Sequence, residues 1–97
     1  MNTRSTICRK AFPLILVLAL TACAGAPVQE MSNARQAVEA ARKAGAESRA
    51  TEQLQSAETL LQNAEKALAE GDFKKAREEA EAARDQAVEA QDKSLNE

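Results

Sequence analysis

The 97-residue sequence predicts an all-α fold, a short first helix followed by an antiparallel, alanine-rich helical hairpin, two or three helices in all. Three observations carry that expectation. Small and apolar residues recur at alternating three- and four-residue spacings through three stretches, the period of an amphipathic helix. Gly45 and Gly71 fall between those stretches, where a helix stop favours a residue able to take positive φ. The apolar phase then breaks at Gly71-Asp72, which separates two helices instead of continuing one.

The first helix is predicted over residues 27–44. Pro27 suits its first position, where the missing N–H costs nothing. Met31, Ala34, Val38 and Ala41 form its inward stripe, and Gly45 stops it. The second helix is predicted over 51–70, with Leu54, Ala57, Leu61, Ala64 and Leu68 on one face and Leu60 and Ala67 widening it. Gly71 reads as the residue just past its end and Asp72 as the N-cap of the next helix. That third helix runs from 73 towards 94 and places Phe73, Ala76, Ala80, Ala83, Ala87 and Ala90 inward.

The register decides between a hairpin and one long coiled coil. Extending the second helix past Leu68 would put Gly71, Lys75, Glu78 and Ala82 on the seam, whereas the apolar positions are Phe73, Ala76, Ala80 and Ala83. A continuous helix would lose about 1 kcal/mol at the glycine and its stripe as well. The hairpin is therefore expected, with alanines letting its two helices approach closely. Glu39–Lys43, Glu70–Lys74 and Glu89–Lys93 stand four residues apart on the outer faces. Each such pair contributes only about 0.2–0.5 kcal/mol and marks a solvated helix.

Ahead of the helices the chain has a different character. Arg4, Arg9 and Lys10 make a basic start, followed by an apolar run over 11–20 that is too short, and too interrupted by Pro13, for a permanent spanning helix. Leu20-Thr21-Ala22-Cys23 then looks like a bacterial lipobox. Small residues before the cut fit a narrow peptidase site, and the Cys23 thiol is the nucleophile that accepts diacylglycerol. The domain organisation is accordingly 1–22 lipoprotein signal peptide, 23–26 lipidated N-terminus and short linker, and 27–97 helical domain. Cleavage is expected between Ala22 and Cys23, with lipid attached at Cys23. A Cys8–Cys23 disulfide is the alternative use of the two cysteines, but Cys8 leaves with the leader. Two or three acyl chains anchor stably where one is marginal. Alanine at position 24, instead of aspartate, resembles lipoproteins sorted to the outer membrane, periplasmic face; with a single membrane the anchor is the outer face of the cytoplasmic membrane.

Removing Arg4, Arg9 and Lys10 from the 13 basic residues leaves 10 against 15 acidic, a balance of −5. That charge disfavours nucleic acid or an anionic membrane surface as the main partner, because binding there requires clustered lysine and arginine. The mature part has only ten large apolar residues: Val28, Met31, Val38, Leu54, Leu60, Leu61, Leu68, Phe73, Val88 and Leu95. Alanine fills the remaining inward positions, so the core is thin and self-association or a protein partner is expected.

No catalytic, metal or cofactor site is expected beyond the covalent lipid. The sequence contains no histidine, tryptophan or tyrosine. Glu78, Glu79, Glu81 and Asp85 interleave with Lys75, Arg77 and Arg84, the pattern of a solvated face and not of a metal site. Ser48, Ser56 and Ser94 have no histidine base, and the chain carries no glycine-rich phosphate loop. Lys66, Lys74, Lys75 and Arg77 gather around the hairpin turn as exposed lysines or as a docking point for an acidic polymer or protein.

The segments from Ala34 to Ala46, from Leu54 to Ala64 and from Gly71 to Arg77 resemble the DUF4398 family of short bacterial envelope proteins, over residues 31–91. The family often has Ala-Pro where this chain has Ala50-Thr51, so the start of the second helix is less sharply fixed here. No activity is attached to the family. Some members are similar to fusions with OmpA-like peptidoglycan-binding domains, which implies proximity to peptidoglycan. The stretch from Gly71 to Ala83 is also similar to the second half of a tetratricopeptide repeat, a shared hairpin geometry. The function expected is a non-catalytic, lipid-anchored envelope protein acting as a structural or protein-interaction module. The alternatives are a murein-lipoprotein-like oligomeric coiled coil contacting peptidoglycan, and a small-ligand or glycan-binding module.

Overall fold

The computed structural model describes residues 25–96. These form α1 (Val28–Lys43), α2 (Ala46–Arg49), α3 (Thr51–Ala69) and α4 (Phe73–Leu95), and there is no strand among the described residues. Leu20 to Cys23, the stretch read as a lipobox, lies outside them.

Each helix boundary has a local cause. α1 starts one residue later than expected, at Val28: Pro27 is its N-cap and not its first helical residue, and the Pro27 carbonyl accepts the Met31 N–H at 3.0 Å. Gly45 takes φ +93° and ends α1. α3 ends in the full Schellman pattern: the Gly71 N–H donates to the Leu68 carbonyl at 3.1 Å and the Asp72 N–H to the Ala67 carbonyl at 2.9 Å. Gly71 is at φ +81°, the left-handed region that disfavours any side chain. The expected coincidence of stop and start at this point is borne out, since Asp72 Oδ1 accepts the Lys75 N–H at 3.2 Å and caps α4.

The short helix α2 was not expected. It falls between the helices expected over 27–44 and 51–70, where Ala46 and Ala50, one helical turn apart, are both buried in one cluster with Val38, Leu54 and Ala90. Burying those two methyls holds the turn in helical form. Thr51 Oγ1 donates to the Glu47 carbonyl at 2.9 Å and ties it to α3.

Ion pairs give the helix directions. Arg35 reaches Glu65 at 3.2 Å, and Arg42 pairs with Glu58. Ascending positions in α1 thus meet descending positions in α3, and the two helices run antiparallel. α4 reverses again through the Gly71 turn, so α1 lies parallel to α4, with Arg77 Nε 3.9 Å from Glu30 Oε2 near their N-terminal ends. The fold is an up–down–up three-helix bundle. Its largest interface is α3 against α4, the expected hairpin, and the next is α1 against α4.

The core is built of small residues. Ala76, Ala80, Ala83, Ala87 and Ala90 form one buried stripe down α4, facing Met31, Ala34, Val38 and Ala41 of α1 and Leu54, Ala57, Ala64 and Ala67 of α3. Met31, Pro27 and Ser94 are the largest fully buried side chains. With methyls at the seam, helix axes fit at the short end of the 8–10 Å range, about 8 Å. Leu61 touches both halves of the core and joins them.

Several expectations are corrected. Phe73 is not core: it is 39 % exposed, because it occupies the first turn of α4, beyond the end of α3. Leu60, Leu61 and Leu68 are only half-buried, since the alanines between them take the tightest positions. Ser94 is buried, its hydroxyl donating to the Ala90 carbonyl at 2.8 Å while its own carbonyl accepts from Arg49 Nη1 at 3.2 Å. The pairs Glu39–Lys43, Glu70–Lys74 and Glu89–Lys93 are not among the ion pairs of the described residues. Three of the five that form instead cross between helices, because a neighbouring helix brings an arginine fork nearer than an exposed lysine stem.

Candidate functional site

The most distinctive end of the bundle is the one that holds the Gly71 turn. Because α1 and α4 are parallel, the start of the described chain arrives beside this turn. A Cβ added to Gly25 would lie 3.8 Å from Cε2 of Phe73, so the incoming backbone runs against that ring. Val28, in the first turn of α1, is 58 % exposed at the same end.

The basic cluster expected around the turn is divided by the structure. Arg77 is half-buried and directed to Glu30 of α1. Lys66, Lys74 and Lys75 are exposed. Lys66 and Lys75 line a shallow depression between α3 and α4 with Asn63, Ala67, Glu70 and Glu79. Glu79 Oε2 is buried there without a hydrogen-bond partner. Gln53 Oε1 is in the same condition elsewhere on α3.

The serines and carboxylates of the described residues do not converge on one site. Ser48 Oγ donates to the Gly45 carbonyl at 3.3 Å, a local turn bond, and Ser94 is occupied within α4. Ser56 lines an open depression on α3 with Glu52, Gln55, Thr59 and Leu60. Asp85 is engaged by its neighbour Arg84 at 2.9 Å. Among the described residues no group of three or more carboxylates, cysteines or histidines is placed to hold a metal ion. Arg42 is held above the ordinary guanidinium pKa by its hydrogen bond to Glu58, with burial opposing and Glu58, Glu39 and Glu47 adding attraction. It therefore stays a cation and serves as a clamp between α1 and α3.

Sequence reasoning missed the juxtaposition of Gly25 with Phe73, and the Arg35–Glu65 and Arg42–Glu58 bridges. Nothing local signals them, since the partners are 16 to 48 positions apart. No described helix is long and apolar enough to cross a membrane. Leu20, Thr21, Ala22 and Cys23, the positions read as the lipobox, lie outside the described residues.

Comparison with known proteins agrees with the alanine spacing and the turn. No match was found among curated proteins or among solved structures. The family model described as a domain of unknown function, DUF4398, matches residues 29–97, which takes in all of α2, α3 and α4 and all but the first residue of α1. The chain belongs to the DUF4398 family.

Proposed function

We propose that this chain is a non-catalytic protein of the bacterial cell envelope, anchored by lipid at Cys23, whose helical bundle is a structural or protein-interaction module. The observation that carries the reading is the order of basic start, apolar run and Leu20-Thr21-Ala22-Cys23, followed directly by a helical domain. Alanine at position 24 favours the periplasmic face of an outer membrane. The thin alanine core favours a protein partner or a second copy, since little apolar area stabilises the bundle alone. The absence of histidine and tyrosine from the sequence, and the local engagement of Ser48, Ser94 and Asp85, support a role without catalysis. A murein-lipoprotein-like coiled coil, as one uninterrupted helix, fits less well because Gly45 and Gly71 both take left-handed backbone.

The test is metabolic labelling with a palmitate analogue, followed by in-cell crosslinking. Label on the wild-type chain and none on Cys23→Ser is the expected result. Label on both, or on neither, refutes the anchor. Crosslinked species containing only this chain favour self-association, whereas covalently bound muropeptide would restore the cell-wall linker reading.

A further inference from the structure

We infer that the bundle seats end-on against an anionic phospholipid surface through its Gly71-turn end, with Phe73 and Val28 at the headgroup level and Lys74 and Lys75 facing lipid phosphates. The inference rests on the lipid-anchor reading and adds which end of the fold meets the bilayer and which side chains touch it.

Geometry sets the end. Cys23 precedes Gly25 by two residues, a span of at most about 7 Å for extended chain. Gly25 in turn lies against the Phe73 ring, with an added Cβ 3.8 Å from it. An acyl anchor at Cys23 therefore brings the start of α4 to the membrane, even though Phe73 is fifty residues further along the chain. Had α1 run antiparallel to α4, the same anchor would have carried the opposite end, at Leu95.

The chemistry of that end fits a headgroup layer. Four large hydrophobic side chains are exposed among the described residues, and Phe73 and Val28, two of the four, sit here around the chain entry. Phenylalanine and aliphatic side chains of surface-lying helices bury at the headgroup–acyl boundary, and lysines beside it are drawn to anionic lipid. Lys74 and Lys75 are exposed, with Lys66 nearby, and the exposed Glu70 and Asp72 carboxylates beside them offset part of that charge, Asp72 being turned to the Lys75 N–H it caps. α1 and α4 both begin at this end, and their positive dipole ends add to the lysines. Only α3 ends here.

The test uses the full chain, processed and lipidated in cells, purified and reconstituted in phosphatidylethanolamine–phosphatidylglycerol vesicles. Nitrobenzoxadiazole is attached at Phe73→Cys or, at the far end, at Ser48→Cys; acylation of Cys23 is verified by mass in each sample. The expected result is blue-shifted emission and several-fold weaker quenching by iodide at position 73 than at 48, with the difference lost in Lys74→Glu/Lys75→Glu. Equal quenching at both positions in an acylated sample overturns the seating while leaving the anchor intact. A sample lacking acylation that leaves the vesicles refutes the anchor instead. Protection at 73 that persists in detergent without phospholipid shows that a second copy covers this end, and likewise overturns the proposal.

Discussion

Replacing Gly71 by alanine separates the hairpin from a continuous helix by the sign of the effect. In an uninterrupted helix, alanine in place of an interior glycine stabilises by roughly 1 kcal/mol. In this structure Gly71 is at φ +81°, where a Cβ collides with the residue's own backbone, and a left-handed alanine costs about 1–2 kcal/mol. An added Cβ would meet nothing within 4 Å, so no packing clash adds to that figure. The alanine also restricts the unfolded chain, which returns about 0.4–1 kcal/mol. The net is a destabilisation of about 1 kcal/mol or somewhat less. For a domain of 60–100 residues, 1 kcal/mol lowers Tm by about 4–8 °C. Circular dichroism at 222 nm on a soluble chain starting at Ala24, melted in parallel with wild type, reads this directly. A rise in Tm with increased helicity would refute the left-handed turn and with it the bundle.

Three further outcomes follow from the same structure. Asp72→Ala removes the α4 cap and should cost about 0.5–2 kcal/mol in denaturant unfolding, with Asp72→Asn nearly neutral. Ala83→Leu forces three extra carbons into a fully buried seam and should cost about 1–3 kcal/mol, whereas Phe73→Ala, outside the core, should cost clearly less in the same urea titration. Arg42→Gln should cost no more than about 1 kcal/mol, because its pair with Glu58 is partly exposed to solvent, and raising the salt concentration should shrink the difference from wild type. Because the guanidinium's pKa is raised, its contribution is complete below the ordinary arginine value and is lost only in far more alkaline solution, so the stability difference between wild type and this variant should not change between about pH 6 and 9 through titration of Arg42.

Much of the fold was legible because its signals are local. Gly71 and Asp72 are adjacent, and one needs positive φ while the other offers a capping carboxylate, so the turn is encoded within a few residues. The stripe of α1 was read without error, since Met31, Ala34, Val38 and Ala41 keep the three–four–three spacing that places them on one face of the helix. On α3 the reading was less sharp: leucines outrank alanines on any hydropathy scale, yet a close helix crossing admits Ala64 and Ala67 to the centre and leaves Leu60 and Leu68 at its margin. Phe73 was misplaced for a related reason. Its spacing from Ala76 matches the buried stripe, but the stripe ends where the opposing helix ends, and periodicity does not contain that length. No catalytic or metal constellation was expected; among the described residues Ser48, Ser94 and Asp85 are engaged by near neighbours, while Ser56 lines an open depression and Glu79 Oε2 has no partner.

The sequence by itself determined the three long helices, their stops and caps, and the alanine seam, because propensity, capping and φ preference act over a single turn of chain. The tertiary structure decided that α1 lies along α4 and not beyond the hairpin, that Ala46 to Arg49 close a helical turn, and that arginines of α1 reach carboxylates of α3. It also decided that the chain entry at Gly25 meets Phe73 at the hairpin turn. These depend on which surfaces come into van der Waals contact once the helices exist, and contacts between residues up to 48 positions apart arise only from packing three stripes around one core.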